Sequence, residues 1–193
     1  MCIRDSHTPV ATLDGEEDIA LDWFVRRPGP GEHVTWSHGG VTVGYCSDLT
    51  VTPTNAVSVA TLTNATNGSW VHDAMRRWVL AEVAGIDERD PEPDPSLRVD
   101  LERVTGRYLA AFCQLDVTIG DDPGTLLVTP LARDDVTDGW LPPVEGPVSL
   151  AFFGPGDAVA LNAEGPKRVV RVDPDGDRAQ WLTWGARRAV RTA

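Results

Sequence analysis

Lysine is almost missing from this 193-residue chain: Lys167 is the single lysine among 17 basic residues, and 29 acidic residues bring the formal net charge to −12. So acidic a surface repels a phosphate backbone, so no nucleic-acid partner is expected. Long hydrophobic runs are also missing, and no stretch approaches the roughly 20 apolar residues of a membrane-spanning helix. No membrane span is expected, and the chain reads as soluble. Cysteine is scarce: Cys2, Cys46 and Cys113 show neither Cys-x-x-Cys nor Cys-His spacing, which argues against a disulfide staple and a structural zinc. Neither a metal nor a cofactor is expected. Compartment and oligomeric state are not set by anything in the composition.

What is present divides into two halves. Residues 1–6, Met1-Cys2-Ile3-Arg4-Asp5-Ser6, match the in-frame translation of a transposon-end sequencing adapter and are set aside. The native chain is then expected to begin upstream, making this sequence a C-terminal part. The run 87–95, Asp-Glu-Arg-Asp-Pro-Glu-Pro-Asp-Pro, is acidic and stiffened by proline, which predicts a linker at 89–96 between domains at 7–88 and 97–193.

In the first half, strand-forming runs end at Arg27-Pro28-Gly29-Pro30-Gly31 and turn again at Pro53-Thr54-Asn55. Short turns between successive strands predict antiparallel neighbours. From Trp70 to Ala84 the apolar residues Val71, Ala74, Met75, Trp78, Val79 and Val83 recur at helical spacing, with Gly85 as a stop. The expectation is three antiparallel strands and a helix packed on one face. In the second half, short β-rich runs at 114–119, 125–129, 148–153, 158–161, 168–172, 179–184 and 187–191 predict a small all-β barrel or sandwich. The stretch Asp173-Pro174-Asp175-Gly176-Asp177 has Trp184 where a calcium loop needs a bidentate glutamate, and reads as a hairpin turn.

The most informative stretch is Trp36-Ser37-His38-Gly39-Gly40-Val41-Thr42-Val43-Gly44-Tyr45. A glycine pair weakens a strand, and marks either a turn or a close approach of something to the main chain. His38 is correspondingly either a core histidine bonded to backbone or a site residue. Together with Cys46-Ser47 and Thr61-Leu62-Thr63-Asn64-Ala65, this stretch resembles a signature of the serine β-lactamase and penicillin-binding-protein-like family, in its class C-related esterase and peptidase branch.

That resemblance implies an α+β fold: a partial β-lactamase/transpeptidase-like domain followed by the β-domain, whose Gly106-Arg107-Tyr108 opening and arginine-rich last strand resemble a lipocalin-like module. It implies a serine hydrolase acting on a small-molecule ester, amide or peptide through an acyl-serine. His38, Gly39, Gly40 and Val41 would be the catalytic strand, with the Val41 N–H as oxyanion donor, and Gly44 and Tyr45 would bind substrate. An imidazole at position 38, with a reference pKa of about 6.5, favours the esterase and D-amino-peptidase-like members over β-lactamases. No Ser-x-x-Lys and no Tyr-x-Asn occurs in the 193 residues, so the chain alone is expected to be inactive. The alternative is a non-catalytic binding protein on the same scaffold, with the β-domain as ligand or partner module.

Overall fold

The computed structural model describes residues 6–13, 17–27, 33–42, 44–65, 67–133, 146–161, 168–185 and 187–192. Residues 1–5 of the adapter-like start and the turn at 28–31 lie outside them. The chain divides into two compact units, Met1–Asp90 and Pro91–Ala193.

Unit 1 holds a six-stranded sheet where three strands were expected. β1 (Ala11–Thr12), β2 (Glu17–Ile19), β3 (Phe24–Arg26), β4 (Thr35–Thr42), β5 (Tyr45–Thr52) and β6 (Val57–Thr63) lie in sequence order. Every neighbouring pair is antiparallel. The glycine pair does not interrupt β4, which stays in register with β5 from Trp36 opposite Val51 to Thr42 opposite Tyr45. The reversal comes later, at Gly44, whose φ of +77° is a conformation that a side chain disfavours. Because side chains alternate along a strand, this register sends Val41, Cys46 and Thr63 to one face and His38, Gly40, Tyr45, Ser47 and Leu62 to the other.

Helix α1 (Gly68–Val79) lies on the Cys46 face and continues as a π-helical turn over Leu80–Ala84. Gly85, at φ +69°, ends it. The helix sits close because Gly68 has no side chain: a Cβ there would fall 1.8 Å from Thr63 Oγ1 and 3.2 Å from Cys46 Cβ. One turn on, the buried His72 ring places Nε2 3.2 Å from Thr63 Oγ1.

The expected orientation of the helix is reversed. Gly68, His72 and Leu80 face inward, whereas Val71, Met75 and Trp78 are exposed, Trp78 at 59%. The polar side is held by charge. Arg76 Nη1 donates to Glu88 Oε1 at 3.0 Å, and both Arg76 and Arg77 pair with Asp73. Arg77 also donates to the Glu88 carbonyl at 3.0 Å and pairs with Asp90. These bonds clamp the chain after the helix back onto it. Charge-assisted and partly buried, they hold this geometry better than surface pairs would.

Unit 2 is one eight-stranded antiparallel sheet. Its strands are β7 (Gly106–Leu109), β8 (Cys113–Ile119), β9 (Thr125–Ala132), β10 (Val148–Phe152), β11 (Asp157–Ala160), β12 (Val169–Arg171), β13 (Trp181–Thr183) and β14 (Arg188–Arg191). The order is β12-β11-β10-β9-β8-β7-β14-β13, and the two end strands meet through a bridge between Val172 and Leu182. Alternation along the strands buries Leu115 and Val117, Leu126 and Val128, Leu150 and Phe152 in a common core. Asp173 turns its carboxylate onto the backbone N–H groups of Asp175 and Gln180, at 3.2 and 2.8 Å, which accounts for the aspartate-rich turn.

Arg191 ties this unit together. Its guanidinium donates to the carbonyls of Thr105 at 2.8 Å, Arg103 at 2.9 Å and Ala179, and to Tyr108 Oη at 2.7 Å. Tyr108, fully buried, donates in turn to the Val104 carbonyl at 2.7 Å. Gly106 makes room for the group, since a Cβ there would lie 2.2 Å from Arg191 Nη1.

Three outcomes follow. Gly68→Ala must push α1 off the sheet, and overpacking of this kind costs about 1–3 kcal/mol, read as a lower urea midpoint for unit 1. Arg191→Met leaves several carbonyls unpaired and is expected to cost unit 2 about 2–4 kcal/mol, with Arg191→Lys recovering only part because an ammonium cannot span the fork. Burial holds the Tyr108 phenol above its ordinary pKa of 10.0. The unfolded chain therefore loses this proton first, so the contribution is intact below pH 10 and is lost as pH rises from there through the folded-state value. Tyr108→Phe should flatten that alkaline limb in thermal melts.

Candidate functional site

The sequence-derived residues occupy the end of unit 1 where β4 and β5 extend past β3. β3 pairs with β4 only from Thr35 to Ser37, so the outer backbone edge from His38 to Thr42 has no strand partner among the described residues. An edge of this kind presents unpaired N–H and C=O groups to whatever lies beside it. His38, Gly39, Gly40, Val41 and Thr42 are all exposed. The His38 ring stands 6.4 Å, centroid to centroid, from that of Phe24.

Beside this edge lies an open groove of about 490 Å³, lined by Gly40, Val41, Thr42, Tyr45, Cys46, Ser47, Leu62, Thr63 and Asn64. Leu62, 80% exposed, stands opposite Ser47 in the β5–β6 register, and Thr63 opposite Cys46. Ser47 Oγ donates to the Gly40 carbonyl at 3.4 Å, and a Cβ on Gly40 would come 2.9 Å from that oxygen. Cys46 Sγ donates to the Ala65 carbonyl at 3.3 Å. Chemically the groove offers aliphatic and aromatic side chains, hydroxyl and amide side chains among its lining, and bare main chain at Gly40. Among the described residues no group of three or more His, Cys, Asp or Glu could hold a metal ion.

The structure brings Gly40, Val41 and Tyr45 together at the groove. His38 stands two residues back on the Gly40 face, outside the lining, and Gly39 points the other way, opposite Asp48. Gly44 occupies the hairpin reversal, where its φ already accounts for a glycine. Ser47, Leu62 and Asn64 were not singled out as site residues. Only the cross-strand register shows that Leu62 shares a face with Tyr45 and Ser47.

No protein-family model matches the chain, and no curated protein sequence matches it. Solved structures do. The crystal structure of SurE with D-Leu is 20% identical, with a TM-score of 0.63 over 98% of this chain and 43% of that one. The crystal structure of SurE is 23% identical, with a TM-score of 0.60 over 98% of this chain and 41% of that one. The octameric penicillin-binding protein homologue from Pyrococcus abyssi reaches 0.37, too low to carry an argument. The chain thus spans about two fifths of the length of the SurE structures and shares the fold of that part.

These findings correct the family expectation. The fold is a SurE-type α+β arrangement, with one helix on a sheet and a near-barrel, and the β-lactamase/transpeptidase-like assignment gives way to it. With it go the serine hydrolase reading and the ester, amide or peptide substrate. The binding-protein alternative was framed on the same scaffold and falls too. The physical reason is that the resemblance rested on one strand and its hairpin, a short pattern of His, Gly and Tyr that an exposed strand edge and a positive-φ turn account for locally. Among the described residues no helix is long and apolar enough to cross a membrane.

Proposed function

We propose that the groove at the β4–β5–β6 end of unit 1 is one wall of a binding site for a free aliphatic amino acid of D configuration, such as D-leucine. The observation that carries this is the groove itself: an apolar rim at Tyr45 and Leu62, on one face of the sheet, beside hydroxyl, amide and main-chain hydrogen-bonding groups. A small amphipathic ligand calls for that combination, an apolar surface for its body and a few placed polar groups for orientation. The likeness in fold to a SurE structure solved with D-Leu supports the choice of ligand.

The division of labour follows from position. Leu62 and Tyr45 cover the isobutyl group, while Ser47 and Asn64 reach the ammonium and carboxylate. The open edge from His38 to Val41 supplies backbone donors and acceptors, and the absence of side chains at Gly39 and Gly40 lets the ligand lie against it. Configuration at the α-carbon decides whether the side chain enters the apolar rim while the polar groups keep their partners.

Titration of the 193-residue chain with D-leucine, followed by amide chemical shifts, should give saturable changes confined to Gly39–Val41, Tyr45 and Leu62–Asn64. L-leucine should bind several-fold more weakly, and Leu62→Asp should abolish the response. The reading fails if no saturable change occurs, if the changes lie elsewhere, or if Leu62→Asp responds as the parent does.

A further inference from the structure

The apolar stripe on the outer side of α1 has a symmetry that its sequence spacing makes plain. Val71 and Trp78 lie equally far from a midpoint between Ala74 and Met75, and all four face away from the sheet. Extended by one turn each way, the same line reaches Asn67 at one end and the exposed Glu82 at the other, again equidistant from that midpoint. A second copy laid antiparallel across this face therefore sets Trp78 over Val71 twice and the small Ala74 at the centre, where two helices can approach closely.

The ends match in charge. The Gly68 and Trp70 N–H groups are bonded to the Ala65 and Asn67 carbonyls, but the first turn of α1 has no acidic residue and Asn67 makes no side-chain capping bond, so no carboxylate of the helix itself offsets the positive end of its dipole. In the antiparallel pair, Glu82 of each copy stands over that end of its partner. An uncovered row of valine, methionine and tryptophan is costly in water, and the flanking carboxylate gives the cover a direction.

We infer that the outer face of α1 is a two-fold, antiparallel helix–helix interface between two copies of this chain. The inference does not rest on the amino-acid groove: Leu62 lies on the sheet face opposite α1, so Leu62→Asp and Met75→Glu test the two separately.

Light scattering coupled to size exclusion, run across a concentration series, should give twice the chain mass, falling to the single mass on dilution. Met75→Glu should be monomeric throughout with unchanged far-UV circular dichroism, because the side chain it replaces is exposed. Glu82→Lys, which sets a cation over the partner's helix N-terminus, should raise the dissociation constant several-fold, whereas Ile119→Glu in unit 2 should leave it unchanged. A parent chain that is monomeric at every concentration overturns the inference and leaves the stripe to a different polypeptide segment. A dimer that survives Met75→Glu overturns it as well.

Discussion

The contact between Gly68 and Thr63 fixes how unit 1 is built. A helix that meets a sheet through a residue without a side chain comes in closer than ordinary packing allows, and only one rotation of the helix then satisfies the neighbours. That rotation puts His72 against the Thr63 hydroxyl and sets Arg76 and Arg77 where Asp73, Glu88 and Asp90 can meet them. The price of this arrangement is an apolar stripe turned outward. Ion pairs and a buried imidazole do what hydrophobic burial does in most helices of this size, and they do so only while the whole set is in place.

Because α1 takes one side of the sheet, the side carrying Tyr45, Ser47 and Leu62 is left open, and the groove runs from it round the strand edge to Val41, Cys46 and Thr63. The strand edge beyond β3, the bare main chain at Gly40 and the exposed rim at Leu62 all lie at the same end of the β4–β5–β6 strands. Fold and site are therefore coupled through register alone: a shift of one residue between β5 and β6 would carry Leu62 to the helix side and dismantle the rim. Unit 2 follows a different logic. There one guanidinium gathers carbonyls from two separate segments, Arg103 with Thr105 and Ala179, around a buried phenol, and the strands close around it.

Much of this was legible in the sequence, and the failures have physical causes. Alternation from Tyr45 to Thr63 and the break at Pro53 mark two strands and their turn, and Gly85 marks the end of the helix. Periodicity also finds the stripe of Val71, Ala74, Met75 and Trp78, but spacing says only that one side is apolar, not which way it faces. The inward side is decided by Gly68 and by partners up to 13 residues away in Asp90, as Arg77 shows, and no local pattern reports them. The two-residue strand β1 and three-residue β2 are too short to show a period, so these two of the six strands went unread. At the site, His38 to Tyr45 drew notice because glycine is rare inside strands. Leu62 and Asn64 became site residues only through pairing across β5. The family inference failed for a related reason: a short motif samples one strand, whereas the fold is a property of all of them.

The seam of the eight-stranded unit has a consequence of its own. Between β12 and β13 the continuous ladder is replaced by one bridge at Val172, a bond from the Asp173 amide to the Trp181 carbonyl at 3.0 Å, and a threonine hydroxyl, Thr183 Oγ1, accepting from the Arg171 amide at 2.8 Å. A cylinder joined this thinly has a preferred line of rupture. Breathing motions and solvent ingress will start there, and the cylinder can uncurl into a flat ribbon without losing any other strand pair. Closure and strand order are thus separable properties of this half of the molecule.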